Sequence, residues 1–317
     1  MEMRRAGNSG LTLSRLGLGT MTWGRDTDEH EAADQCRAFI DAGGNFIDTA
    51  NTYGDGDSER VLGGLVGVLF DRDDVIIATK SGVGFPDGIR SVDASRQTLL
   101  SELDKSLSRL GSDFVDIWQI HAWDPITPLD ETLAALDYAY TTGRARYVGL
   151  SNYAGWQLAR AATKQQSNSM KAPITTLQSE YSLLNRDVEI EVLEAANNCG
   201  IGFLAWAPLA RGVLTGKYRN GVPSDSRAAA PHFNRHIEPY LDERSNRTVD
   251  AVAVAASGLG YSPLEVALSW VRDAPGVTSA IIGARSGAQL RGVLKSEEIT
   301  LPDIVRNALN DVSLTTL

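Results

Sequence analysis

The feature that most constrains this chain is a rhythm. A short apolar, β-branched run is followed by a turn and then by a stretch with helical periodicity, and the unit recurs eight times. The runs predict strands at RLGLGT (15–20), NFIDTA (45–50), VIIATK (75–80), FVDIWQIH (114–121), ARYVGLS (145–151), ITTLQSEYS (174–182), IGFLAWAP (201–208) and TSAIIGA (278–284). Helices are expected near 28–42, 58–69, 94–110, 130–141, 155–165, 188–199, 246–258, 263–273 and 287–295, with a terminal one over 302–312. In the first of these Ala33, Cys36, Phe39 and Ile40 share a face, and in the third Leu99, Leu103, Leu107 and Leu110 do.

Strands separated by helices favour a parallel sheet with right-handed crossovers. Eight such units favour a closed (β/α)8 TIM barrel, which typically needs about 250 residues. The 317 residues here leave room for extra helices and for a long polar loop after strand 7, roughly 210–245. The competing architecture is an open, doubly wound α/β sheet. Its dinucleotide fingerprint, GxGxxG after the first strand, fails here, because the stretch from Gly17 through Gly19 to Thr22 lacks the third glycine. No linker or composition shift marks a boundary, so residues 1–317 read as one barrel domain.

Composition narrows the partners. A net charge of −10 argues against nucleic acid, whose phosphates need a surplus of Lys and Arg. No run approaches the roughly 18 apolar residues of a membrane span, and MEMRRAGNSG lacks the apolar core of a secretory signal, so the expected location is the cytoplasm. The two cysteines, Cys36 and Cys199, form no disulfide framework and are expected to be buried thiols. The four histidines show no metal-ligand pattern. His232 and His236 are four apart, but they lie between Pro231 and Pro239 in a polar stretch, and no metal is expected.

In a barrel of this kind the active site lies at the C-terminal ends of the strands. The polar residues there are Asp48, with Tyr53 just beyond it, Lys80, His121, Ser151, Asn152 and Gln178, with Trp206 at the end of the seventh strand. Singly, each has an ordinary reading: a turn cap, a surface tyrosine, a solvated lysine, a satisfied histidine, a core aromatic. Together, an acid, a phenol, an ammonium and an imidazole converge on one rim. Asp48 is the nearest partner for Lys80, and a lysine ammonium beside Tyr53 is expected to lower the phenol's pKa toward that of a general acid working near neutral pH. His121 is placed to hydrogen-bond a substrate carbonyl.

These residues, with the segments GLGTMTWG (17–24), GGNFIDTANTYGDGDSERVLG (43–63), VIIATKSG (75–82), VDIWQIHAWDP (115–125), RYVGLSNY (146–153), LQSEYSLLNR (177–186), FLAWAPLARGVLTGKY (203–218) and IIGARSGAQL (281–290), occur in the order seen in one family. The chain resembles the aldo-keto reductases, in the subgroup that includes potassium channel β subunits and bacterial aldo/keto reductases, over roughly residues 10–300.

The resemblance implies a catalytic tetrad of Asp48, Tyr53, Lys80 and His121. Tyr53 is then the general acid, Lys80 held by Asp48 tunes it, and His121 orients the carbonyl. It also implies NADP(H), with NAD as the alternative. Ser151, Asn152 and Gln178 would hold the carboxamide, and Trp206 would stack on the nicotinamide. Gly19, Thr20, Met21 and Asp48 would add cofactor contacts. The run from Pro208 through Leu209, Ala210, Arg211 and Gly212 to Lys217 would wrap the pyrophosphate. Gly283, Arg285, Ser286 and Gln289 would receive a 2′-phosphate, as barrels often do after the last strands. One departure is that Arg291-Gly292-Val293 stands where many relatives place an Asn or Glu against adenine. Trp23, Tyr53, His121 and Trp123 are expected to line an aromatic substrate pocket.

The expected activity is reduction of an aldehyde or ketone to an alcohol, or the reverse, on a small carbonyl or alcohol substrate. Two other readings stay open: a nucleotide-binding regulatory subunit with slow chemistry, and a Schiff-base aldolase using Lys80. The substrate, the reaction direction and the oligomeric state are not written in the sequence.

Overall fold

A computed structural model describes residues 1–219, 221, 223 and 237–314. A hairpin opens the chain, β1 (Met3–Arg5) with β2 (Thr12–Ser14). The eight barrel strands are β3 (Leu16–Gly19), β4 (Phe46–Asp48), β5 (Ile76–Ser81), β8 (Val115–Ile120), β9 (Ala145–Ser151), β10 (Ile174–Glu180), β11 (Gly202–Trp206) and β12 (Val277–Ile282). All pair in parallel in that order, and β12 returns to β3 through Ile281↔Gly17. A second small hairpin, β6 (Val83–Gly84) with β7 (Ser91–Val92), rises directly from the end of β5.

The helices are α1 (Glu29–Asp41), α2 (Asp57–Leu65), α3 (Arg96–Leu110), α4 (Leu129–Thr141), α5 (Gly155–Gln166), α6 (Val192–Asn198), α7 (Glu243–Leu259), α8 (Pro263–Arg272), α9 (Gly287–Leu294) and α10 (Asp303–Ser313). Their starts follow local chemistry. Asp28 accepts the Glu31 amide at 2.8 Å to cap α1. Ser262 and Glu265 form a reciprocal capping box on α8, with Pro263 in its first turn. The longer predicted helices are trimmed where the backbone turns. α2 stops at Leu65 because Val66 is extended and Gly67 is left-handed. The 188–199 stretch becomes a short 3-10 turn, Asp187–Glu189, followed by α6. On α1 the fully buried residues are Ala32, Gln35, Cys36 and Phe39, while Ala33 and Ile40 are only half-buried.

Two apolar layers result. One lies between the strands and the helices and holds most of the buried residues. The other fills the barrel, with Phe46, Ala78, Ile117, Leu204 and Ile281 pointing inward. Leu11 and Leu13 of the opening hairpin join that inner layer, so β1–β2 plugs the N-terminal end of the barrel. Arg4 and Arg15 tie the plug to Asp273 and Glu297, at 3.0 and 2.9 Å. Arg272, fully buried, binds Asp273 and the Ser296 and Ile299 carbonyls. On β8, Asp116 accepts from Arg72 at 2.8 Å and Arg146 at 3.1 Å, and both guanidiniums stack on Phe114. With that end sealed, the C-terminal rim is free to carry chemistry. Among the described residues no single helix is long and apolar enough to cross a membrane.

Two expectations change here. Cys36 is buried and its thiol is pushed up to about 12, but Cys199, at the end of α6 beside Gly200, is only partly covered. The 210–245 loop is not wholly irregular. Ala210–Thr215 forms 3-10 turns, Glu238–Tyr240 another, and α7 begins at Glu243. PHFNRH, with His232 and His236, lies outside the described residues.

Candidate active site

Strand alternation and register decide what faces the barrel interior. In β4 and β5, Asp48 and Lys80 lie two residues beyond inward Phe46 and Ala78 and so share their face. Lys80 donates to the Asp48 carboxylate at 2.7 Å and to the Thr49 carbonyl at 2.9 Å. Both side chains are almost fully buried. Burial alone would favour the neutral amine, but the charge and hydrogen bond of Asp48, together with those of Tyr53, outweigh it and hold the Lys80 pKa above its ordinary value. Gln178, on β10, donates to the other Asp48 oxygen at 2.8 Å. Asp48 is therefore bound from both sides, as a buried carboxylate must be.

Tyr53 follows in the turn after β4. That turn needs left-handed backbone at Gly54, Asp55 and Gly56 to bring the ring back over the rim. The Lys80 ammonium lies 5.2 Å from the Tyr53 ring centroid, and the His121 ring meets it edge-on at 6.2 Å and 80°. All four tetrad residues thus come together. One electrostatic expectation is corrected. Removal of the phenol from water raises the Tyr53 pKa, and although Lys80 pulls it down, the net direction is up. His121 is held to about 3, first by burial, then by the charges of Lys80 and Arg90. Its imidazole is neutral at physiological pH, and its Nδ1 is buried without a protein partner. A neutral imidazole can donate one hydrogen bond to a carbonyl oxygen.

The remaining rim residues form a connected group. Asn152 sits in the left-handed region and donates to the His121 carbonyl at 2.9 Å and to Ser151 Oγ at 3.0 Å. Its side-chain oxygen accepts from the Trp206 indole at 3.0 Å. Asn152 thereby fixes both the backbone of His121 and the plane of Trp206. Thr20 is buried, bonded to Ser58 at 2.7 Å and to the Asp48 carbonyl, and Met21 is exposed beside it. A side chain at Gly19 would strike Ile281.

The loop after β11 is conformationally unusual. Ala207, Ala210 and Arg211, none of them glycine, have positive φ, followed by Gly212 at +94°. Such strain clusters at ligand sites. A side chain at Gly212 would come within 3.0 Å of the Lys217 ammonium, so backbone and cation are held in close approach. Pro208 and Leu209 lead into this turn. Arg211 pairs with Glu180 at 3.0 Å and lies 5.3 Å from the Trp206 ring centroid. Glu180 also accepts from the Tyr240 hydroxyl at 2.9 Å. Glu180 was not among the expected site residues, yet it shares the inward face of β10 with Gln178 at a spacing of two, which is the signal that finds it.

After β12, Gly283 passes close to the Gly19 carbonyl. Gln289 Oε1 accepts the Arg285 amide at 2.8 Å, and Ser286 caps α9. Two carboxylates from α1 also reach this helix start. Glu31 accepts the Gly287 amide at 2.8 Å, and Asp34 pairs with Arg291 at 2.9 Å.

The aromatic pocket is corrected in part. Trp23 is fully buried and donates to Gln35 at 3.1 Å, so it belongs to the packing under α1 and does not line the site. Trp123 does reach the rim, edge-on to Tyr153 at 5.3 Å and to Trp156 at 5.5 Å. Trp156, half exposed at the start of α5, is the additional aromatic there, and nothing in its local sequence sets it apart.

Residues 15–313 match the model of the aldo/keto reductase family. The chain is 35% identical to an uncharacterized oxidoreductase of Bacillus subtilis, over 98% of this chain and 96% of that one. It is 34% identical to a probable voltage-gated potassium channel subunit beta of Arabidopsis thaliana, over 94% and 92%. It is 38% identical to an L-glyceraldehyde 3-phosphate reductase of Escherichia coli, over 92% and 86%. The chain belongs to the aldo/keto reductase family.

Proposed function

We propose that this protein is an NADP(H)-dependent reductase of aldehydes or ketones, with Tyr53 as the proton donor. The observation that carries the reading is the buried Lys80–Asp48 pair set beside the Tyr53 ring, with neutral His121 edge-on to it. His121 donates to the substrate carbonyl oxygen and polarises it. Tyr53, its pKa above the ordinary value, keeps its proton at neutral pH and passes it to that oxygen as negative charge develops there. Lys80 stabilises the phenolate left behind, and Asp48 keeps Lys80 charged and in place.

The residues fit a dinucleotide. Gly212 and the Lys217 ammonium form a close-approach cradle suited to a pyrophosphate, in a loop held in left-handed backbone. Ser151, Gln178, Asn152 and Trp206 would hold the nicotinamide, which supplies the hydride when bound. Arg285 would pair with a 2′-phosphate.

The aldolase reading is not favoured, because a Schiff-base lysine needs a depressed pKa and Lys80 is shifted upward by Asp48. The names of the channel-subunit relatives keep one alternative in view, a nucleotide-binding subunit with slow chemistry. Steady-state turnover with NADPH and a panel of carbonyl compounds separates the two. The panel includes a phosphorylated aldehyde, because one relative is named for such a substrate. Multiple turnover of any of these supports the reductase, and tight NADPH binding with no turnover supports the subunit.

A further inference from the structure

Behind the Tyr53 turn lies a buried charge cluster that no step of the proposed reaction uses. Glu59, in the first turn of α2, is fully buried. One of its carboxylate oxygens accepts from Thr79 Oγ1 at 2.5 Å, and the other meets the Arg109 guanidinium at 2.6 Å. Thr79 alternates with inward Ala78 and Lys80 on β5, so its side chain faces the helices. Arg109 comes from the last turn of α3 and also donates to Ser106 at 3.3 Å.

Both partners bear on the tetrad. Only Gly54, Asp55 and Gly56 separate Tyr53 from the start of α2. A side chain at Gly56 would strike the Arg109 side chain at 2.7 Å, and one at Gly63 would strike the Arg109 carbonyl at 2.6 Å. Arg109 thus lies against the chain on both sides of Glu59. Beside Glu59, the Ser58 hydroxyl bonds to Thr20 and Thr49, and the Thr49 carbonyl accepts from Lys80. The first turn of α2 is therefore joined to the Tyr53 turn at one end and to β5, at the residue next to Lys80, at the other.

A buried ion pair is a weak source of stability, because desolvation offsets much of the attraction. What a charge-assisted contact to a guanidinium fork does supply is direction. We propose that Glu59 is a positioning residue for the proton transfer: held by Arg109 and bonded to Thr79, it sets where the Tyr53 hydroxyl stands relative to Lys80. The inference rests on the reading of Tyr53 as the proton donor.

Glu59→Gln strands the Arg109 charge and mixes position with stability, so the test is made at Thr79. Thr79→Val removes the hydroxyl, keeps the shape and leaves the Glu59–Arg109 pair in place. With NADPH and a carbonyl compound that the wild type turns over, kcat should fall about ten- to a hundredfold. KM and the NADPH dissociation constant should stay nearly unchanged. Lys80 pulls the Tyr53 pKa down, so a phenol displaced from it should move the alkaline limb of kcat to higher pH. Thr79→Ser keeps the hydroxyl and should restore both kcat and the pH profile. In a Tyr53→Phe background Thr79→Val should cost nothing further, because both changes act through one group. A Thr79→Val enzyme with a lowered Tm but wild-type kcat and pH profile overturns the proposal, as does a loss that persists in full in the Tyr53→Phe background. If Tyr53→Phe alone keeps wild-type turnover, the proton-donor reading fails and takes this inference with it, a result that no Thr79 variant can produce.

Discussion

Lys80 Nζ lies 2.7 Å from Asp48 Oδ2, at the C-terminal end of the barrel, with both groups almost fully buried. Removing one partner leaves an uncompensated charge in a low dielectric. Asp48→Ala should cost about 3–5 kcal/mol of stability, measured by denaturant unfolding, whereas Asp48→Asn keeps one acceptor oxygen, enough for Lys80 or Gln178 but not both, and should cost less. The pair also sets a pH window. Lys80 is raised above its ordinary value, so its contribution is complete below that value and is lost as pH rises through the native one. Wild-type Tm should therefore fall on the alkaline side, and Asp48→Asn should flatten that fall.

His121 titrates in the opposite sense. Its pKa is depressed to about 3, so folding holds it neutral while the unfolded chain protonates near its ordinary 6.5. Its contribution to stability is present above 6.5 and is lost as pH falls toward the native value. NMR of the imidazole should show no protonation between pH 5 and 8. Arg90→Met removes one of the charges that depress it and should move the midpoint upward.

Asp116 supports the opposite end of the barrel. It is buried, bonded to Arg72 and Arg146, and accepts the Ile77 amide at 2.9 Å. Asp116→Ala should lower stability by about 3 kcal/mol without changing nucleotide affinity, which equilibrium unfolding and NADPH titration can check together.

The proposed preference for a 2′-phosphate would rest on Arg285, because Glu31 and Asp34 bring negative charge to the start of α9. Loss of a charge-assisted contact is worth roughly tenfold in affinity. Arg285→Ala should weaken NADPH by about that factor and leave NADH nearly unchanged. Equal weakening of both nucleotides would place Arg285 away from the phosphate.

The strand and helix rhythm and the meeting of Asp48, Tyr53, Lys80 and His121 on one rim were legible because each barrel strand carries a dense apolar run ending in a polar residue, as in VIIATK before Ser81. What escaped was short or relational. β1 and β2 have three residues each, and their identity comes from the inner core that Leu11 and Leu13 join. Trp23 and Trp123 look alike in sequence, and only packing separates a buried indole bonded to Gln35 from one at the rim. The direction of the Tyr53 shift depended on a contest between desolvation and the Lys80 charge, and residue spacing cannot weigh the two. The pairing of Arg211 with Glu180 likewise needed the fold of the 207–216 turn.

The central claim is that Tyr53 donates the proton, and the direct measurement is Tyr53→Phe. Removing only the hydroxyl should leave the fold and NADPH affinity intact and reduce kcat for carbonyl reduction by about 10²- to 10⁴-fold. A Tyr53→Phe enzyme that binds NADPH normally and turns over at the wild-type rate would contradict the account.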